Sequence, residues 1–179
     1  MIRVDDDVEL VLADVSRAAE MYALALRNQA RLVPWEAWVG DLDLESMRRH
    51  YADLMRRYAE GSALPLVAQL STADAPALVG SFGANIDADS CSASVGYWVD
   101  AAFEGQGLAY RCTRAVVREL RDVRGVSEIW LNCAAANQRS RRLAERLGFE
   151  LATTLTDFYV IGERHLDAVH YVLPSDAQL

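Results

Sequence analysis

A glycine-rich segment lies between an apolar run and an amphipathic stretch in the second half of the chain. Residues 103–109 read Phe-Glu-Gly-Gln-Gly-Leu-Ala, with small residues at Gly105, Gly107 and Ala109. Small residues at alternate positions allow the main chain to approach a ligand closely and to direct its amides at it. The helix predicted to follow begins with free N–H groups at the positive end of its dipole, which favours anions. This pattern is typical of a diphosphate-binding loop built from main-chain amides.

The same segment lacks the features of two common phosphate loops. No Gly-Lys-Ser/Thr follows it, so the lysine and the Mg²⁺-binding hydroxyl of a P-loop are missing. Its spacing is shorter than the Gly-x-Gly-x-x-Gly fingerprint of dinucleotide-binding folds. Taken alone, the segment is equally consistent with a flexible turn before a helix.

A second segment downstream changes this interpretation. An apolar run at residues 129–133 leads through small residues to Asn137 and Ser140, and then to a short helical stretch that ends at Gly148-Phe149. A Gly-Tyr-Trp triplet at residues 96–98 precedes the glycine segment, and Leu-Val-Pro-Trp stands at residues 32–35. Several motifs in a fixed order are far more specific than any one of them.

Together these motifs resemble the GNAT acyl-CoA acetyltransferase superfamily. The glycine segment matches its Gln/Arg-x-x-Gly-x-Gly/Ala pyrophosphate loop, and the second segment matches its Asn-x-x-Ser/Ala…Gly-Phe pattern. The chain is most similar to the ribosomal-protein N-acetyltransferase (RimJ/RimL-type) branch, over about residues 8–173. The resemblance implies acetyl-CoA as co-substrate, no metal, and an N-acetyltransferase that moves the acetyl group by direct attack of a primary amine in a ternary complex.

The resemblance also implies which residues bind acetyl-CoA. The pantetheine arm is expected along the free edge of the strand that carries Tyr97, Trp98 and Val99, and on Asn137. The diphosphate is expected on the main-chain amides of the loop, namely Gly105, Gln106, Gly107, Leu108 and Ala109. Arginines that follow are candidates for the phosphates, with Arg142 selected and Arg111 and Arg139 as alternatives.

Acetyl transfer needs a polarised thioester carbonyl, a proton for the thiolate and a neutral amine. The main-chain N–H of Val99 is expected to polarise the carbonyl, and Ser140 to donate a hydrogen bond to the thiolate. The sequence leaves the base open. The candidates are Glu36, Asp87, Asp89, Asp157 and a water held by Ser94, and attack without a protein base is a further alternative.

Three positions depart from the family pattern. Glu104 replaces the usual Gln or Arg and would set a negative charge against the diphosphate. Ser94 stands where many members carry a glutamate that receives a proton through water. Ala144 replaces a tyrosine acid, which is normal in a branch that has Ser140. The departures at Glu104 and Ser94 favour an alternative class, a CoA-binding sensor or assembly module without turnover. The retained Asn137, Ser140 and glycine loop oppose this alternative.

The acceptor-binding residues are the least constrained by the sequence. Trp35, Glu36 and Trp38 are close enough in the chain for both tryptophans to face one cleft, as an aromatic and acidic wall for an amine. The competing interpretation is that the tryptophans cover the core between two helices. The acceptor is a protein N-terminal amine or a small-molecule amine, and a longer acyl donor such as succinyl-CoA is also open.

The composition limits the classes of protein to which the chain can belong. The chain has 179 residues, 52% of them hydrophobic, which predicts one domain over residues 1–179. A net charge of −8 argues against nucleic-acid binding, and no apolar run is long enough to span a membrane. The acidic N-terminus is unlike a signal peptide, and three cysteines without metal-ligand spacing predict reduced thiols in the cytoplasm. A homodimer is left open.

The periodicities place these motifs on a mixed α+β fold. Helices are predicted after caps at Asp14 or Ser16 and at Asp43, over residues 108–123 and over residues 139–147. Strands are predicted at residues 8–11, 64–70, 77–86, 93–99, 128–133, 151–161 and 165–173. The expected fold is a single GNAT-like domain with a central, mostly antiparallel sheet of about seven strands, flanked by helices. Strands four and five form a parallel pair, which the resemblance implies is splayed.

Overall fold

Eight strands form one open sheet in the order β1-β2-β3-β4-β5-β6-β8-β7. The computed structural model describes residues 1–71 and 76–177. The strands are β1 (Ile2–Arg3), β2 (Val8–Leu12), β3 (Ala63–Leu70), β4 (Ala77–Asp87), β5 (Ser92–Val99), β6 (Glu128–Ala134), β7 (Glu150–Ile161) and β8 (Arg164–Leu173). All neighbouring pairs are antiparallel except β5 and β6. The predicted fold class is confirmed, and the short β1 adds one strand to the seven predicted.

Helices cover both faces of the sheet. They are α1 (Ala18–Arg27), α2 (Gln29–Leu32), α3 (Leu44–Ala59), α4 (Leu108–Arg118) and α5 (Gln138–Arg146). Because side chains alternate along a strand, Leu66 joins the core beneath α4 and α5 while Val67 joins the core beneath α1 and α3. Tyr97 and Trp98 divide in the same way, as their adjacent positions on a strand predicted.

The parallel pair of β5 and β6 separates after a short contact. Pairing is confined to Ser92–Ser94 of β5 and Glu128–Trp130 of β6. β5 continues to pair with β4 along its whole length, and β6 pairs with β8 up to Ala134. The edge of β5 beyond Ser94 is therefore left without a strand partner, and a gap opens between the two strands.

The predicted central helix changes type before its predicted end. The helix predicted over residues 108–123 is α-helical only to Arg118 and continues as a π-helical turn at Glu119–Val123. The turn predicted between the second and third strands includes residues 72–75, which lie outside the described residues. Within the described part of the chain, no helix has the length and apolar character needed to cross a bilayer.

Candidate active site

A cavity of about 1050 Å³ occupies the gap between β5 and β6. The free edge of β5 forms one wall, β6 and α5 form the opposite wall, and the glycine segment with the start of α4 closes one end. Most of the predicted cofactor-binding residues line it, and the splay of the strands is what brings them together. These residues are Tyr97, Trp98, Val99, Gly105, Gly107, Leu108, Ala109, Asn137 and Arg142.

The glycine segment has the backbone that close approach of a ligand requires. Gly105 and Gly107 have φ values of 75° and 73°, and Gly107 is the N-cap of α4. A Cβ at either glycine would meet no described atom within 4 Å, so both face open space. Positive φ is accessible to glycine without strain, which explains both residues at this turn. Gln106 is exposed and donates from Nε2 to the Ala102 carbonyl across 3.2 Å, and it is the loop residue that does not line the cavity.

The hydrogen bonding of β5 determines which main-chain groups face the gap. The Asp100 N–H donates to the Val79 carbonyl across 2.8 Å, towards β4. In an antiparallel pair the direction alternates with each residue. The N–H groups of Val99 and Tyr97 therefore point into the cavity, as predicted for Val99, whereas the main chain of Trp98 bonds to β4. The Trp98 side chain packs against the core beneath α1 and α3, and its role as a cofactor-binding residue stays a prediction.

Glu104 does not present an uncompensated charge to the cavity. Its Oε1 accepts from Arg31 Nη1 across 2.6 Å, and its Oε2 pairs with Arg139. Arg31 also donates to the Val99 carbonyl and to Asn28 Oδ1. Two arginines from α2 and α5 therefore balance the charge of Glu104, and its effect on diphosphate binding stays a prediction.

A buried polar cluster fixes the end of β5 and was missed by the sequence reasoning. Asp100 accepts from Asn28 Nδ2 across 2.9 Å and from Arg27 Nη2 across 2.5 Å, and Asn28 Oδ1 accepts from the Ala101 N–H across 2.9 Å. Burial opposes the charge of Asp100, but these hydrogen bonds outweigh it and lower the pKa of the carboxyl. Partners more than 70 residues apart leave no local signal in the sequence.

Ser140 lies at the centre of a small polar cluster on the wall formed by α5. The Tyr97 hydroxyl donates to Ser140 Oγ across 3.1 Å, and the Cys133 thiol forms a further hydrogen bond with Ser140. Burial raises the pKa of Tyr97 to about 12 and also raises the pKa of Cys133, so both groups carry their protons at neutral pH. Asn137 caps α5 by accepting from the Ser140 N–H across 3.2 Å, which leaves its side-chain NH₂ to face the cavity.

The three candidate arginines differ in their surroundings. Arg111 pairs with Asp5, and Arg139 pairs with Glu104. Arg142 lines the cavity, as does Arg146, whose guanidinium lies 4.2 Å from the centre of the Tyr110 ring. The selection of Arg142 as a cofactor-binding residue therefore stays a prediction that its position supports.

A second cavity of about 330 Å³ lies on the opposite side of β5, beneath α3. Trp38 lines this cavity and Trp35 lines the larger one, so the prediction that both face one cleft is wrong. The turn between them directs the two rings apart, because residues 37–39 form a 3₁₀ turn. Glu36 lines both cavities and accepts from Trp38 Nε1 across 3.1 Å.

The candidate bases separate by position. Asp87 and Asp89 lie in the exposed turn between β4 and β5, and Asp157 lies exposed on β7, away from the residues that line either cavity. Ser94 lines the smaller cavity only. Glu36 is the candidate base that reaches the larger cavity. Within residues 1–71 and 76–177, no cluster of three or more His, Cys, Asp or Glu side chains is arranged to hold a metal ion.

Comparison with known proteins agrees with this geometry. The model of the acetyltransferase (GNAT) domain matches residues 9–150. YdaF of Bacillus subtilis (strain 168), provisionally named a ribosomal N-acetyltransferase, is 26% identical over 96% of this chain and 93% of its own. The [ribosomal protein bS18]-alanine N-acetyltransferase of Salmonella typhimurium is 36% identical over 42% of this chain and 51% of its own.

A solved structure has the same fold. RimL, the ribosomal L7/L12 alpha-N-protein acetyltransferase, determined in complex with coenzyme A, superimposes with a TM-score of 0.91 over 99% of both chains at 24% identity. The family model spans more than half of the sequence and includes the glycine segment, Asn137 and Ser140. The chain therefore belongs to the acetyltransferase (GNAT) domain family, whose members transfer an acetyl group from acetyl-CoA to an amine.

Proposed function

We propose that the chain acetylates the N-terminal α-amine of a protein, with acetyl-CoA as co-substrate. The observation that carries this proposal is the larger cavity, in which free N–H groups of β5 face Ser140 of α5 across the gap. A thioester held along β5 would have a donor for its carbonyl on one side and a donor for its sulfur on the other. A module that only binds CoA has no need of the second donor.

The residues present fit acetyl-CoA. The unpaired edge of β5 can bond an extended amide-containing arm as an additional strand would. The amides of residues 105–109 and the start of α4 suit a diphosphate, since Gly105 and Gly107 leave open space there. Arg142 and Arg146 line the same cavity and are the proposed phosphate partners. The balanced charge of Glu104 supports binding at this loop.

Ser140 and Val99 have distinct proposed roles in the transfer. The Val99 N–H donates to the thioester carbonyl oxygen, on which negative charge develops when the amine attacks. The Ser140 hydroxyl donates to the departing sulfur. Because Ser140 Oγ accepts from Tyr97, its own proton is not used in that bond and is available to Cys133 or to the departing sulfur. Asn137 holds the arm in both the ground state and the transition state.

The acceptor class is proposed from the relatives and the cavities together. Two of the similar proteins described above are named for ribosomal proteins, one as a bS18-alanine N-acetyltransferase and one as an L7/L12 alpha-N-protein acetyltransferase. Glu36 and Trp38 offer a carboxylate and an aromatic ring beside the cavity wall, as expected for a cationic amine. Peptide N-termini, acetyl-CoA and ribosomal proteins meet in the cytoplasm, which is the proposed location.

A panel of acceptors tests this function. The purified chain is incubated with acetyl-CoA and peptides that begin with Ala, Ser or Gly, and the products are identified by mass spectrometry. The same peptides with a blocked N-terminus and an internal lysine control for side-chain acetylation, and a polyamine and an aminoglycoside represent small-molecule acceptors. We expect acetylation of free N-termini only. Turnover of a small amine without any peptide product would overturn the peptide proposal, and faster turnover with succinyl-CoA would overturn the acetyl donor.

A further inference from the structure

Glu36 lies where the two cavities of the molecule adjoin. The larger cavity follows the free edge of β5, and the smaller one lies beneath α3 on the other side of the same strand. Four residues line both, namely Glu36, Gly96, Tyr97 and Trp98. Within the described part of the chain, a Cβ at Gly96 would meet no atom within 4 Å, so the strand leaves open space at this point.

We propose that Glu36 is the general base of the acetyl transfer, accepting a proton from the acceptor's ammonium group where the smaller cavity meets the larger one. This proposal rests on the acetyl transfer proposed above. The acceptor then approaches from the side of α3, while acetyl-CoA lies along β5. Glu36 is the candidate carboxylate that lines both the cavity proposed for the acceptor and the cavity proposed for acetyl-CoA.

Within residues 1–71 and 76–177, no cation forms an ion pair with the carboxylate of Glu36. Its one hydrogen bond comes from Trp38 Nε1, a neutral donor. Arg31 and Arg139, which also line the larger cavity, are engaged by Glu104. A carboxylate that is partly buried and held by a neutral donor is suited to receive an ammonium group, because no internal cation competes for it.

The acidity of Glu36 agrees with this role. Burial raises the pKa of its carboxyl, and the hydrogen bond from Trp38 lowers it by less. A base with a raised pKa takes up a proton more readily near neutral pH. The other titratable side chains that line the two cavities are His50, Tyr51, Tyr97, Tyr110, Cys133 and Tyr159. The cations are Arg31, Arg139, Arg142 and Arg146, and Glu104 is the other carboxylate.

Two of these groups bear directly on Glu36. Tyr159 lines the larger cavity together with Glu36, and burial, with a contribution from the charge of Glu36, raises the pKa of Tyr159 to about 12. Burial lowers the pKa of His50, so its imidazole is neutral at pH 7. His50 lines the smaller cavity alone and is the competing base.

Each proton that moves in the reaction has a donor and an acceptor in this proposal. Glu36 takes one proton from the ammonium group, and the neutral nitrogen forms a bond to the thioester carbonyl carbon. When the carbon–sulfur bond breaks, the sulfur leaves with the electron pair and receives a proton from Ser140, which is replaced by the second proton of the nitrogen. The products are the amide, the CoA thiol and one proton, which Glu36 releases to water.

The test is the pH dependence of kcat at saturating peptide, since kcat reports groups of the bound complex. For the wild-type chain, kcat should fall as the pH drops through the pKa of Glu36, because the protonated carboxyl cannot accept a proton. Glu36→Gln should lower kcat about a hundredfold at pH 7. It should also remove the fall in kcat at the pKa of Glu36, which is the acidic limb of the pH profile. The difference in kcat between this variant and the wild type should become smaller above about pH 9, where an N-terminal amine loses its proton unaided. Glu36→Asp should recover part of the rate.

Trp38→Phe tests the role of Glu36 independently, because it changes the pKa of the Glu36 carboxyl. Removing the indole donor takes away the hydrogen bond that lowers the pKa of Glu36, so the acidic limb should move to higher pH. Asp41→Asn, which neutralises an exposed carboxylate five residues away, should leave the profile unchanged. Circular dichroism and the Kd for acetyl-CoA establish that each variant is folded and binds its co-substrate.

The outcomes separate this role from the proposed function. If the wild type acetylates the peptide and Glu36→Gln keeps both its rate and its acidic limb, Glu36 is not the base and the proposed function stands. If His50→Gln removes the limb instead, the base is His50. A wild-type chain that binds acetyl-CoA and acetylates no peptide overturns the proposed function, and the role of Glu36 with it.

Discussion

The Tyr97 hydroxyl donates a hydrogen bond to Ser140 Oγ across 3.1 Å and so joins β5 to α5 over the gap between the splayed strands. The two residues come from the two motifs that carry the family resemblance, 43 positions apart in the chain. The bond orients the serine, because an oxygen that accepts from the tyrosine must direct its own proton elsewhere. The remaining acceptors for that proton are Cys133 and, in the proposed complex, the thioester sulfur.

Loss of Ser140 should affect turnover more than binding. The negative charge on sulfur develops only as the carbon–sulfur bond breaks, so Ser140→Ala should lower kcat about a hundredfold with little change in the KM for acetyl-CoA. Tyr97→Phe removes one hydrogen bond of about 1 kcal/mol and should lower kcat about fivefold. If Tyr97 acts through Ser140, the double variant should be no slower than Ser140→Ala alone. A Ser140→Ala variant with the wild-type rate would reduce Ser140 to a residue of the helix start.

Gly107 should be required for cofactor binding rather than for folding alone. Gly107→Val sets a branched side chain against the phosphates at a position with φ of 73°, so it should weaken CoA binding by at least tenfold. Gly125→Val is the matched control, because Gly125 has φ of 68° and equally open space but does not line the cavity. Both variants should lose about 1–2 kcal/mol of stability. Calorimetry that shows equal CoA affinity for the two would contradict the loop assignment.

Removing the charge of Glu104 should strengthen CoA binding modestly. Glu104→Gln releases Arg31 and Arg139 and takes away a negative charge near the diphosphate, a change worth about 1 kcal/mol or less, since the pairs are partly exposed. The Kd for CoA should fall up to about fivefold at low salt, and the gain should diminish as salt is added. Glu128→Gln makes the same change in net charge at the far end of β6 and should leave the Kd unaltered. A weaker Kd for Glu104→Gln would mean that the ion pairs are needed to shape the loop.

The elements of the fold are predictable from the sequence because their signals are local. Alternating apolar residues define the strands, and the caps at Asp14 and Asp43 mark helix starts that the structure retains. The positive φ of Gly107 is likewise encoded in the residue itself. The turn between α2 and α3 was harder to predict from the sequence. The spacing of Trp35 and Trp38 does not reveal the 3₁₀ turn between them, and the two residues line separate cavities.

The sequence by itself determined the order of the strands and helices, the glycine loop that is proposed to bind a diphosphate, and the residues that mark the family. The tertiary structure alone decided which charges balance one another and which side chains meet. Glu104 pairs with Arg31, which lies 73 positions away in the chain. Glu36 lines both cavities. Both contacts form because α2 and the turn after it pack against the end of β5. Such contacts depend on how separate elements pack in space, and the local pattern of residues does not contain that information.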